Sequence, residues 1–433
     1  MLNRLDLRGV PADAVAKRLP RPDGGGDEPV AAVQTILAEV RARGDEAVRE
    51  FTERFDGVRL NEFRVPTADI EAALTASPAE LVDALTTARD NIDAFHRTQV
   101  IAPHRYERDG ITVTGSSVPV DRAGVYVPGG RGAYPSTVLM TAVPARVAGV
   151  AEIALCVPPD RATGAVHPTV LAAASLAGVD EVYAIGGAQA IGAMAFGTAS
   201  IPAVDVIVGP GNVYVAIAKR EVSGVVGIPS AFAGPSEIVV IADHTVPAAY
   251  AAIDVVVQAE HGPNGLAWLI TWDQRVADAV DTEIEAYVAA SSRRADIEAT
   301  FAQGGYAVLV DGPEQAVEVS NLIAPEHLQL MCADPDALVP LVRHAGAVFC
   351  GPLAPASLGD YVAGPSHVLP TYGSARFGSA LTVSDFVKQV HVVSITPAGF
   401  AEVASKVAVL ADAEGFDAHA ESVRRRLRDL ALS

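Results

Sequence analysis

The 433-residue sequence predicts an α/β protein built of two Rossmann-like α/β domains with parallel sheets, a helical N-terminal segment and a helical C-terminal tail. Three observations predict it. Between about Thr112 and Gly351, short β-branched runs alternate with Ala-rich stretches of helical period, the pattern of parallel strands covered by helices. Half of the residues are hydrophobic, yet no apolar run approaches the ~20 residues that span a bilayer. Glycine-rich turns recur between a strand and a helix at VYVPGGRGA, AIGGAQAIGA and IVGPGNVYVA.

Taken in order, the segment before Thr112 reads as largely helical. VQTILAEVRARGDEAVREFTERF is amphipathic and breaks at Gly44, and GGGDEP at 24–29 reads as a linker. Strands are predicted at 123–127 (AGVYV), 152–157 (EIALCV), 180–185 (DEVYAI), 204–208 (VDVIV), 237–242 (EIVVIA), 266–271 (LAWLIT), 306–310 (YAVLV) and 346–350 (GAVFC). Helices fall between them, among others at 136–148, 187–197 and 246–261. After about Thr382 the pattern is helical only and ends in the basic AESVRRRLRDL, with no sheet of its own. The turns VPGGRGAYPS and GPSE bracket an inserted α/β domain, 126–234, between the two parts of a first domain, 29–125 and 235–381. Residues 1–28 and 382–433 are then the N-terminal segment and the tail. Two crossings between lobes predict a cleft, where ligands usually bind.

Composition narrows the function. A formal charge of −20 speaks against nucleic acid and against anionic membranes, which need a basic face. MLNRLDLRGVPADAV scatters charge where a signal peptide needs an apolar stretch, so the expected location is cytoplasmic. Cys156, Cys332 and Cys350 lie in apolar strand-like segments and form no CxxC pair, against a disulfide framework or a cysteine metal site.

Four segments carry chemistry. In QAEHG, Gln258 and His261 project from one helix face and would make half of a zinc site. In APEHLQL, Glu326 and His327 precede an apolar strand, a carboxylate and an imidazole suited to general base and orienting partner. The polar run SLGDYVAGPSHVLPTYGSARFGSALTVSDF has the character of a functional loop and offers His367 and the hard anionic ligand Asp360. The tail offers Glu414 and His419. The remaining histidines, His96, His104, His167, His244, His344 and His391, read as surface or packing residues. None of the glycine turns matches GxGxxG, since GPGNVY has Tyr214 where the third glycine belongs. On these residues alone a dehydrogenase, a zinc hydrolase, a thiol-dependent aldehyde dehydrogenase and a two-lobed binding module all stay open.

Eleven strings in order, GDEAVREFTERFDG, VYVPGG, STVLM, GGAQAIGAMAFGT, VGPGNVYVAIAKR, AGPSE, QAEHG, APEHLQ, GDYVAGPSHVLPT, SDFVK and EGFDAH, make the sequence resemble the histidinol dehydrogenase family over nearly its whole length. The resemblance implies oxidation of L-histidinol, through enzyme-held L-histidinaldehyde, to L-histidine with two NAD⁺. It implies one Zn²⁺ per subunit on Gln258, His261, Asp360 and His419, and a catalytic pair Glu326 and His327. Substrate contacts fall on Ser236 and Glu414 as well as on His327 and the four metal ligands, and dinucleotide contacts on Tyr126, Gln189 and Asn212. A homodimer whose tail reaches the partner's active site is implied too. The chemistry is coherent: two hydrides must leave, a base must take the hydroxyl proton, and water must add to the aldehyde between them. Histidinol's imidazole and amine suit Zn²⁺, which would serve as an orienting template while His327 is the base and Glu326 activates water.

Overall fold

A computed structural model describes residues 1–20, 29–130, 132–230, 236–260 and 265–432. The chain divides into two units, Met1–Gln99 with Asp121–Phe386, and Val100–Val120 with Val387–Ser433. In chain order the strands are β1 (Asn3–Asp6), β2 (His104–Arg108), β3 (Ile111–Pro119), β4 (Arg122–Tyr126), β5 (Glu152–Cys156), β6 (Glu181–Tyr183), β7 (Val206–Val208), β8 (Glu237–Ala242), β9 (Leu266–Thr271), β10 (Gly305–Leu309), β11 (His327–Met331), β12 (Ala347–Cys350) and β13 (Val387–Ile395).

The first unit holds two parallel sheets. One has the order β6-β5-β4-β7 and the other β1-β10-β9-β8-β11-β12. In each the chain builds outward on one side and then returns to the other side of its starting strand, β4 or β8, which is the winding of a Rossmann half. Strands EIVVIA and LAWLIT are buried at every residue because helices cover both faces. Val240, Leu269, Val255, Val280, Ile284 and Phe301 form the core on one face. Val239, Trp268, Val317, Leu328 and Leu330 form it on the other. Among the described residues no helix is long and apolar enough to cross a membrane.

Helix Val30–Arg43 ends at Gly44, whose φ of 55° suits glycine, and helix Asp45–Asp56 starts directly after it, the break expected there. These helices do not cover the sheet that the boundaries above assign them to. Val33, Ile36, Leu37, Val40 and Phe51 pack with Ile185, Ile191, Met194 and Ile207 over the four-stranded sheet. Segment 63–65 extends that sheet's edge, with Val65 N–H donating to the Val182 carbonyl and Ala184 N–H to that of Phe63, both at 2.8 Å. The placement of 29–125 with the six-stranded sheet is thereby corrected for these helices. The amphipathic stripe announces burial but not its partner.

The second unit holds the antiparallel sheet β13-β3-β2, and helices Pro397–Ala413 and Asp417–Leu432, which pack through Ala408, Ala411 and Ala420. The tail is helical as expected but is not without a sheet. VKQVHVVSI pairs along its whole length with β3, from Val387 opposite Pro119 to Ile395 opposite Ile111. The N-terminal segment likewise opens with a strand, β1, paired to β10. Val390, Val392, Val393 and Ile395 of β13 and Val409, Leu410 and Phe416 beyond it are exposed. The linker at 24–29 lies, but for Pro29, outside the described residues.

Candidate active site

Two places in the first unit gather the predicted residues. The first is at the amino ends of β8 and β11, not at the carboxyl ends where ligands of such sheets usually sit. Glu326 precedes β11 and His327 opens it, both buried. Glu237, the first residue of β8, donates its N–H to Glu326 Oε2 at 3.0 Å, and its carbonyl lies 3.3 Å from His327 Nδ1. His327 Nδ1 is 3.7 Å from Glu326 Oε2, and Nε2 is 3.4 Å from Asp360 Oδ1. The imidazole rests on the Phe349 ring, centroids 6.1 Å apart.

Burial pushes the Glu326 carboxyl up to about 7, against the pull of His327. Burial alone would lower His327, but the carboxylates of Glu326 and Asp360 raise it to about 9. Asp360 comes from helix Ala356–Tyr361, which reaches this place because Gly359 has no side chain; a Cβ there would stand 2.5 Å from the Phe349 ring. His367 ties the same loop down, with Nδ1 2.9 Å from the Asp360 carbonyl and Nε2 3.1 Å from Thr137 Oγ1.

Of the other predicted residues, Gln258 is buried at the end of helix Ala248–Ala259. Ser236 is half-buried just before β8, its carbonyl accepting from Leu266 N–H at 3.0 Å. His261 and residues 231–235 of the GPSE turn lie outside the described residues. Glu414 and His419 belong to the second unit and are exposed. Among the described residues no three His, Cys, Asp or Glu side chains gather to hold a metal. The predicted donor set fits zinc by its chemistry: a half-buried carboxylate and a buried amide oxygen from Asp360 and Gln258, completed by two imidazoles, His261 and His419. Cys350 lies in an apolar strand as expected, ending β12, and is exposed because β12 is an edge strand. Burial nevertheless holds the Cys350 and Cys156 thiols above their ordinary value, the reverse of an activated thiolate.

The second place is a cavity of about 960 Å³ at the carboxyl ends of the four-stranded sheet, lined by Tyr126, Gln189 and Asn212 together. Tyr126 ends β4, and its hydroxyl accepts from Gly187 N–H at 3.0 Å. Asn212 caps helix Val213–Val222, accepting from Val215 N–H at 3.1 Å. Both amide atoms of buried Gln189 find no partner among the described residues. Gly209, at φ 106°, lets the chain pass the Tyr126 carbonyl, 2.1 Å from where a Cβ would be.

Sequence reasoning missed three residues in these places. Asp56 lines the cavity, and burial pushes its carboxyl up to about 6 against the pull of Arg161. Lys219 is buried and donates from Nζ to the Gly209 carbonyl. Glu237 is buried beside Glu326. The one signal available was an acid or amine inside an otherwise apolar segment, EIVVIA for Glu237 and VAIAKR for Lys219. His167, expected to be only a surface or packing residue, also lines the cavity.

The family model described as histidinol dehydrogenase matches residues 20–427. The chain is 50% identical over 403 residues to histidinol dehydrogenase of Synechococcus sp., covering 92% of each. It is 46% identical over 420 residues to that of Chlorobium chlorochromatii, covering 97% of this chain and 98% of the relative. Its structure is similar to the crystal structure of histidinol dehydrogenase from Elizabethkingia anophelis, with a TM-score of 0.94, 33% identity and 99% of each chain covered.

Proposed function

The chain belongs to the histidinol dehydrogenase family of NAD-dependent oxidoreductases of histidine biosynthesis, and we propose that it oxidises L-histidinol in two steps at one site, with two NAD⁺ and one Zn²⁺ per subunit. One observation carries the reading: Glu326, with its carboxyl near 7, stands beside His327, which reaches Asp360. Two proton-transfer groups of different character share one buried place, as consecutive alcohol and aldehyde oxidations require.

His327 Nδ1 faces the Glu237 carbonyl, which keeps a proton on that nitrogen; with the Asp360 carboxylate that raises the imidazole neutralised by a bound cation, Nε2 would be free to take the proton of the substrate hydroxyl, and later of the hydrated aldehyde. Glu326, half-ionised near neutrality, takes the proton of the water that adds to the aldehyde. Gln258, His261, Asp360 and His419 would hold the zinc, which when bound orients the substrate by its imidazole and amine and cancels the Asp360 charge. Ser236 and Glu414 complete the substrate contacts in this reading.

The inserted domain, 126–234, binds NAD⁺ in the 960 Å³ cavity through Tyr126, Gln189 and Asn212. The unpartnered Gln189 amide supports this, since buried polar atoms are seldom left without a partner. The apolar side chains exposed on β13 and the helix after it support a homodimer, and the exposure of Glu414 and His419 supports their use in a partner's site. A cytoplasmic location belongs to the same reading. Absorbance at 340 nm on mixing the zinc-loaded protein with histidinol and NAD⁺ tests it: two NADH should form per histidinol, and none after chelation. One NADH per histidinol would refute the two-step reaction, and full activity without metal would refute the zinc.

A further inference from the structure

Behind the catalytic pair, on the other face of the six-stranded sheet, lies a second cavity, of about 460 Å³. Glu237 stands in register with Leu266 and Val239 with Trp268, so the Glu237 and Trp268 side chains share one face of β8 and β9, while His327 is paired with Ile238, on the opposite face. Both line the cavity, and both are buried, at 2% and 1% exposure. Glu237 Oε2 and Trp268 Nε1 nonetheless find no hydrogen-bond partner among the described residues, which leaves a carboxyl oxygen and an indole N–H open in one cavity. Buried polar atoms are seldom left so. The Trp268 ring is stacked on that of Tyr306, centroids 4.4 Å apart, which fixes where its N–H sits. Leu19, Leu322 and Ile323 supply apolar wall, and exposed Arg376, which donates one N–H to the Leu322 carbonyl, adds a guanidinium. The loop that carries Arg376 joins the wall at Tyr372, whose φ of 58° is left-handed.

A largely apolar cavity of this size with a few polar groups has the make-up of a small-molecule site, and those groups specify the molecule. The carboxyl calls for a cationic donor, the more so because burial pushes it up to about 8 and a cation beside it restores its charge. The indole N–H and the guanidinium call for an anionic acceptor. The walls call for a compact body, and an α-amino acid carries all three. A phosphate ester has no cation for Glu237. We propose that the cavity is a second site for L-histidine, whose ammonium meets Glu237 and whose carboxylate meets Trp268 and Arg376, and that the product restrains the enzyme from there. The choice of histidine rests on the reaction proposed above, which releases it. The route is short: the Glu237 N–H holds Glu326 Oε2 and its carbonyl faces His327 Nδ1, so an occupant bound to its carboxyl acts on both catalytic side chains through one residue.

The test uses the zinc-loaded enzyme. The chain has two tryptophans, so Trp272→Phe leaves Trp268 as the only one. With histidinol filling the active site and NAD⁺ left out, histidine should change the Trp268 emission saturably, and histamine, which lacks the carboxylate, should bind about ten-fold more weakly or worse. Arg376→Met should weaken histidine to a similar degree and leave turnover without histidine unchanged. In turnover, histidine should lower kcat of the parent even at saturating histidinol, whereas in Arg376→Met it should only raise the KM for histidinol. Should Arg376→Met not accumulate folded, Leu19→Trp, which fills the cavity, carries the same kinetic expectation. No saturable response of Trp268, a response equal for histidine and histamine, or one that Arg376→Met leaves unchanged overturns the proposal. So does inhibition that saturating histidinol removes entirely. The titration needs no turnover, so a chain that binds histidine in this way but fails to oxidise histidinol defeats the proposed reaction alone.

Discussion

Replacing Lys219 with methionine removes a positive charge from beneath the Gly209 turn while nearly keeping the volume. Lys219 is 3% exposed, and Nζ donates to the Gly209 carbonyl. Burial lowers its amine from 10.5 to about 8. Below pH 8 the amine is charged in the folded and unfolded chains alike, and the folded one bears the full penalty of a buried charge. Between pH 8 and 10.5 it is neutral when folded and charged when unfolded, so folding releases a proton and stability rises with pH. The gap between 10.5 and about 8, at ~1.36 kcal/mol per pH unit, corresponds to roughly 3 kcal/mol. Methionine escapes that penalty but leaves the Gly209 carbonyl without its donor, which costs about 1–3 kcal/mol. At pH 7 the two effects offset, and the variant should melt close to the parent. By pH 10 the parent should have gained most of the 3 kcal/mol on the variant, a difference of several degrees. Melts of both proteins at pH 7, 8, 9 and 10 measure it, and titration elsewhere cancels in the difference. Because the Gly209 turn leads into Asn212, the variant's KM for NAD⁺ should also rise. A difference between the two melting curves that does not change with pH would refute the lowered amine.

Gly359→Ala should cut kcat at least about ten-fold, because the added Cβ meets the Phe349 ring at 2.5 Å and must move Asp360. The zinc content of the purified variant should fall with it, and an unimpaired variant would sink the argument. Glu326→Gln should impair aldehyde oxidation more than alcohol oxidation, since only the aldehyde step consumes water; equal loss on the two substrates would remove its assigned role. Mixing a His419→Asn chain with a Gln258→Ala chain, each inactive alone, should restore about a quarter of parental activity if tails are exchanged in a twofold dimer. No recovery in a sample shown by mass to contain mixed dimers would return His419 to its own chain.

Strands β8 and β9 were legible to the residue because helices bury both their faces, which leaves an unbroken apolar run in the sequence. β13 was not, because it is exposed along almost its whole length and its partner, β3, lies more than two hundred residues away in the chain. β1 is four residues long and pairs with β10, so no local window contains the reason for it. At the site, Glu326, His327 and Asp360 were readable from motif and resemblance, and the structure brings them together. Asp56, Lys219 and Glu237 were not, since their altered acidity comes from burial by distant segments. The Tyr372 φ of 58° was equally out of reach, as no pattern of residue types calls for a left-handed tyrosine.

The pairing of β1 with β10 has a consequence for biosynthesis. Asn3 lies opposite Tyr306, so β1 waits for about 300 further residues, roughly 15–60 s of translation at 5–20 residues per second, before its partner exists. The four-stranded sheet and its covering helices, 30–208, are complete well before then, and can shelter their own apolar surface while the other sheet is still being made. The six-stranded sheet therefore closes late, with the bare edge of β10 open to strands of neighbouring nascent chains until β1 returns to it. Slowing translation just before codon 305 should lengthen the life of a folding intermediate with a finished four-stranded sheet. Disruption of β1 should show itself first as aggregation during synthesis, even where the mature fold tolerates the change.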